Sequence, residues 1–100
     1  MSIALFSITR DRAPSRQAQI DWSRLRSLTA RELIGALIRD GFEFRHQSGS
    51  HRRYRHPDGR RVTVSCHRLS DTFRPKTLRS MIEDQARWSA ADLIRLRLLK

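Results

Sequence analysis

The tripeptide Pro57-Asp58-Gly59 lies between a basic stretch whose one inward residue is Tyr54 and the alternating apolar run Val62, Val64 and Cys66, and no other feature narrows the fold as much. Proline presets the first turn position and glycine accepts the left-handed one, so the run suits a three-residue hairpin loop. Because side chains alternate along a strand, loop length decides which residues share a face. With three loop residues His56 faces Arg60, Tyr54 faces Val62 on the core side, and His51 faces Ser65 on the other. A two-residue loop would set Tyr54 against Thr63 and mix the faces. The pattern predicts an antiparallel hairpin.

Phe42 and Phe44 alternate with Glu43 and Arg45, predicting a half-buried strand before the Ser48-Gly49-Ser50 turn. Tyr54 marks a second strand, and Val62, Val64 and Cys66 a third. Upstream, Thr29-Ala30-Arg31-Glu32 is a capping box, in which hydroxyl and carboxylate satisfy free amides at a helix start. Leu33, Ile34, Leu37 and Ile38 then fall on one helical face, and Gly41 ends the helix. Downstream, Pro75 or Lys76 opens a helix with Leu78, Met81, Ile82 and Gln85 at i, i+3, i+4 and i+7. Ser89-Ala90-Ala91-Asp92 caps a short third helix bearing Leu93, Ile94, Leu96 and Leu98. The expected fold is α+β: helix, three-stranded antiparallel sheet, helix, and an added C-terminal helix.

Residues 1–27 differ in character. Arg10 to Gln19 is polar and linker-like, so the segment reads as a flexible leader, or as one whose Ile20, Trp22 and Leu25 dock on the domain. The domain proper is then 28–100, with a core over about 28–84, an extension over 85–100, and Trp88 as the expected anchor of that extension. Met1 to Ile8 lacks the features of a signal peptide, and no run approaches the roughly 18 apolar residues of a membrane span.

The formal net charge is +11, with 19 arginines against 2 lysines. Such an excess calls for a polyanion, nucleic acid before an acidic protein or a membrane surface. Cys66 stands alone, which excludes an internal disulfide and fits the cytoplasm. His46, His51 and His56 follow in five-residue steps that alternate faces along strands, so no metal site is expected, and no cofactor or small-molecule substrate is implied.

Period-2 alternation places Glu43, Arg45, His51, Arg53, Arg55, Thr63, Ser65 and His67 on the face away from the core. Six arginines lie between positions 45 and 61. Arginine forks bind phosphate, Gly49 and Ser50 let the backbone approach one closely, and an imidazole exchanges protons near neutral pH. From the residues alone His51 reads as a general acid or base in catalysis, a phosphate contact or solvated surface. His56 reads as a brace for the turn, and His67 as a candidate second acid. Tyr54 is expected inside and Trp22 and Trp88 lie outside the hairpin, so a base-stacking platform is not indicated.

The run Gly49-Ser50-His51-x-x-Tyr54-x-His56-Pro57-Asp58-Gly59, the Val62-Thr63-Val64 strand and Lys76-Thr77-Leu78-Arg79 together resemble the HicA toxin family over about residues 28–84. The resemblance implies a double-stranded-RNA-binding-domain-like α-β-β-β-α core. It implies a metal-independent endoribonuclease acting on mRNA, held in check by an acidic HicB-like antitoxin. The family's catalytic histidine falls on His51, with Gly49, Ser50, Arg53, Arg55 and Lys76 as expected phosphate contacts. The leader, the C-terminal extension and Arg74-Pro75 depart from the family pattern. A noncatalytic RNA-binding module is the competing expectation, since binders and nucleases share this fold.

Overall fold

The computed structural model describes residues 20–99. A 3₁₀ turn at Trp22–Leu25 precedes α1 (Ala30–Arg39). The strands β1 (Glu43–Ser48), β2 (His51–Arg55) and β3 (Arg61–Ser65) form one antiparallel sheet in the order β1-β2-β3. Then come α2 (Pro75–Arg79), a π-helical continuation at Ser80–Gln85, and α3 (Ala90–Arg95). The order is the one expected, an α+β domain consistent with the double-stranded-RNA-binding-domain-like arrangement.

Both capping boxes are formed: Thr29 and Glu32 satisfy each other's amides at α1, and Ser89 and Asp92 do so at α3. Two more first-turn amides of α1, those of Ala30 and Arg31, donate to the carbonyls of Asp71 and Leu69. Gly41, at φ +103°, lets the chain leave α1 in the left-handed region. The buried stripe of α1 is Ala30, Leu33, Ala36 and Leu37, and Ile38 is exposed. Of the expected stripe, Leu33, Leu37 and the half-buried Ile34 pack on the core and Ile38 does not, while Ala30 and Ala36 join it.

The core joins every layer. Leu33 and Leu37 of α1 share it with Tyr54, Val62, Val64 and Cys66 of the sheet side and with Leu78, Met81 and Ile82. Trp88, Leu93, Leu96 and Leu99 belong to the same cluster, so the C-terminal segment is part of the core. So does Leu25, 1% exposed, with Ile20 and Trp22 packed against the cluster. The expectations of a linker at Arg10 to Gln19 and of no signal peptide at Met1 to Ile8 fall outside the described residues.

The alternation expected of β1 fails in one place. Glu43 pairs with Arg55 and Phe44 with Tyr54, but His46, not Arg45, pairs with Arg53. Arg45 is the extra residue of a β-bulge, and the pattern beyond it is shifted by one. Phe44 lies beside the Tyr54 ring (centroids 5.7 Å apart, edge-on) but is 52% exposed, because it sits on an outer strand. At the other outer strand, the Gln85 side-chain oxygen accepts the Thr63 N–H at 2.8 Å, and the Gln85 amide donates to the Ser80 hydroxyl. The π-helical turn carries Gln85 to that position, a widening that 3.6-residue periodicity does not foresee.

Candidate nucleic-acid interface

The hairpin closes as its loop length requires. The register pairs His51 with Ser65, Arg53 with Thr63, Tyr54 with Val62 and Arg55 with Arg61. The His56 N–H donates to the Arg60 carbonyl, and Gly59 holds φ +101°. His56 braces the turn twice: Nδ1 accepts the Asp58 N–H at 3.1 Å, and Nε2 lies 2.8 Å from the Asp40 carbonyl. Nδ1 also lies 3.0 Å from the Asp58 carboxylate, so both ring nitrogens are engaged. Asp58 accepts the Arg60 N–H and guanidinium, contacts that hold its carboxyl below the usual aspartate range.

Arg60 in turn reaches the end of α1. Its guanidinium bonds the Asp40 carboxylate at 3.2 Å and the Ala86 carbonyl at 2.6 Å, and lies over the Phe42 ring. Asp40 also accepts from the Trp88 indole and from Arg95. Burial alone would raise the Asp40 carboxyl, but Trp88, Arg95 and Arg60 outweigh it and the group is held low. This network, absent from the sequence reading, fixes the hairpin's far end to α1 and α3. One signal was available: a carboxylate at a helix C-terminus opposes the helix dipole and needs cationic partners.

The near end carries the expected site. Gly49 has φ +59° and open space around its α-carbon, while Gln47 donates to its carbonyl. The Ser50 carbonyl accepts the Cys66 N–H, tying this turn to β3. His51 opens β2, exposed, between Ser48 on one side and Ser65 on the other. Arg53 and Arg55 follow on the same face. A groove of about 420 Å³ runs over this face, lined by Arg45, His46, Arg53, Arg55, Arg61 and Thr63.

Arg55 stands directly opposite Arg61, both exposed. Like charges facing each other across a sheet are destabilising, a cost that folding gives no return on and that a bound anion would offset. Glu43 opposes the arginines, 3.8 Å from Arg45.

The structure thus brings Gly49, Ser50, His51, Arg53 and Arg55 together on one hairpin. Lys76 is not with them: it is exposed on α2, which packs through Leu78 on the core side of the sheet. Near α2 lies a separate cleft of about 370 Å³, lined by Trp22, Arg26, Phe73, Leu78 and Arg79, where the Arg79 guanidinium stacks on Trp22. His67 lies past the end of β3, and Asp71 accepts its N–H and that of Arg68, turning the chain. His46 was not placed on the outer face by the sequence, which missed the bulge. Its five-residue step to His51 does not separate the two, because the Gly49 turn intervenes and both face outward. No cluster of three or more potential metal ligands occurs among the described residues.

A family profile described as HicA toxin of bacterial toxin–antitoxin systems matches residues 30–86, from the first helical residue of α1 to just past the π-helical turn. The chain belongs to the HicA toxin family. No curated protein matches it significantly. As a HicA toxin it is the toxin half of a toxin–antitoxin pair and has a cognate antitoxin. The matched span of this HicA domain contains the sheet, the hairpin and its arginines, and stops short of Trp88 and α3, which complete the core. None of its described helices is long and apolar enough to cross a membrane.

Proposed function

We propose that this chain is a metal-independent endoribonuclease that cleaves mRNA, with His51 as its general base. The observation that carries the reading is the exposed His51 at the head of an arginine-lined strand, beside a glycine turn open to a phosphate. An imidazole takes the 2′-hydroxyl proton, and guanidinium forks and backbone amides stabilise the charge that develops on the phosphorane. The products are a 2′,3′-cyclic phosphate and a 5′-hydroxyl. DNA lacks the attacking hydroxyl and survives.

The expected antitoxin is acidic and HicB-like and covers the 45–61 hairpin, since complementary charge neutralises a cationic face most directly. Cytoplasmic residence is compatible with the buried free thiol of Cys66. Lys76, exposed on α2, contacts RNA outside the hairpin groove.

Induced expression of the wild type and of His51→Ala tests the reading, scored for growth arrest and RNA decay with the fold verified by circular dichroism. Wild-type chain should degrade RNA in the presence of chelator, require a 2′-hydroxyl at the scissile position, and lose activity on His51→Ala. Full activity of His51→Ala overturns the mechanism. A wild type that binds RNA without cutting it supports the noncatalytic module instead.

A further inference from the structure

Cleavage by transphosphorylation moves two protons. One leaves the 2′-hydroxyl as its oxygen attacks phosphorus, and one must reach the 5′-oxygen as the P–O5′ bond breaks. His51 accounts for the first. An arginine cannot supply the second, because a guanidinium does not release its proton in proteins.

The β-bulge at Arg45 decides where a second imidazole sits. Had β1 alternated without interruption, His46 would share the face of Phe44, toward the core. The bulge instead sets His46 opposite Arg53, and Ser48 opposite His51. His46 and His51 are therefore diagonal neighbours on adjacent strands of the outer face, and such positions lie about 7–8 Å apart. That spacing admits one phosphate between two imidazoles. Both side chains are exposed, and His46 lines the arginine groove with Arg45, Arg53 and Arg61.

The other histidines are less suited. His56 is engaged at both ring nitrogens, by Asp58 within its turn and by the Asp40 carbonyl at the end of α1. His67 lies past the last residue pair of the β2–β3 ladder, where Asp71 accepts its N–H and turns the chain.

We propose that His46 is a second catalytic residue, the general acid that protonates the 5′-oxygen leaving group. The proposal rests on the endoribonuclease reading above. The electron pair of the P–O5′ bond goes to O5′, which takes the proton from His46. The 2′-hydroxyl proton goes to His51, so the two imidazoles exchange protonation states in one turnover. Water-borne proton exchange then resets them.

Single-turnover cleavage of an RNA oligonucleotide by wild type, His46→Gln, His46→Arg, His67→Ala and His51→Ala provides the test. His46→Gln should lower the cleavage rate at saturating RNA by about 10²–10⁴-fold, the range of general acid–base catalysis. RNA affinity and melting temperature should stay near wild type, and His67→Ala should cleave normally. His46→Arg keeps positive charge but no transferable proton, so it should remain as slow as His46→Gln. The wild-type pH–rate profile should be bell-shaped, and His46→Gln should lose its alkaline limb. A substrate with sulfur in place of the 5′ bridging oxygen expels a thiolate that needs no proton, so His46→Gln should recover near wild-type rates on it while His51→Ala does not. Cleavage by His46→Gln or His46→Arg within about threefold of wild type on the oxygen substrate overturns the assignment. So does recovery of His51→Ala, and not His46→Gln, on the sulfur substrate. Failure of the wild type to cleave at all would fall on the nuclease reading, a result separable from both.

Discussion

The Trp88 indole N–H donates to the Asp40 carboxylate at 2.9 Å, linking the end of α1 to a tryptophan 48 residues later. The same carboxylate receives Arg60 and Arg95 and is 9% exposed, so the hairpin, α1 and α3 meet on two oxygen atoms. Asp40→Ala should lower the unfolding free energy by about 2–3 kcal/mol, read from urea midpoints. A buried charge that loses its partner costs more than that, but Arg60 keeps Asp58 and the Ala86 carbonyl.

The pH dependence follows from the same site. The Asp40 carboxyl is held below its ordinary value of 3.8, so the folded chain binds its proton less readily than the unfolded chain. Its contribution is present above that value and lost as pH falls through the lower, folded one. The stability gap between wild type and Asp40→Asn should thus be constant near neutrality and narrow below about pH 4. A gap that widens toward acid would contradict the sign.

Two glycines with positive φ should respond differently to alanine. A β-carbon at Gly41 would lie 2.9 Å from the His56 imidazole, which bonds the neighbouring Asp40 carbonyl. Gly49 has open space around it. Gly49→Ala should cost only the left-handed backbone penalty, about 1–2 kcal/mol, and Gly41→Ala should cost that and more. Thermal melts of the two variants check the order.

The C-terminal segment should be indispensable. Trp88, Leu93, Leu96 and Leu99 are buried in the common core, although the family match ends at residue 86. Trp88→Ala should destabilise by about 3–5 kcal/mol. A chain ending at Ala86 should lose its cooperative unfolding transition.

RNA binding should follow backbone electrostatics. Arg53, Arg55 and Arg61 are exposed along one face, so log affinity should fall linearly with log salt, by orders of magnitude between roughly 50 and 200 mM for several contacts. Charge reversal of Arg53 and Arg55 to Glu should weaken all RNA sequences alike in filter binding. Strongly sequence-selective loss would indicate base readout.

Residues whose role is set by local chemistry were legible in advance. Loop length and side-chain parity placed Tyr54 against Val62 and His51 against Ser65, and the two capping boxes stood where Thr29 and Ser89 start their helices. Features decided by tertiary contact were not. Nothing in Arg45 itself demands a bulge, so the facing of His46 stayed hidden, and Phe44 read as inward because alternation cannot say which strand lies at an edge. The π-helical turn, which carries Gln85 to Thr63, likewise has no periodic signature. Lys76 was grouped with the hairpin by sequence motif, whereas the fold puts its helix on the core side.

A three-stranded sheet has two open borders, and unpaired strand edges are where separate chains join into aggregates. Here the β3 border is occupied at its centre by the Gln85 amide, and the β1 border is kinked by Arg45. A chain this short thus carries its own chain terminators against sheet growth. Replacing Gln85 with leucine removes the one at β3, and the consequence would be read in light scattering of concentrated protein before it is read in any assay of its chemistry.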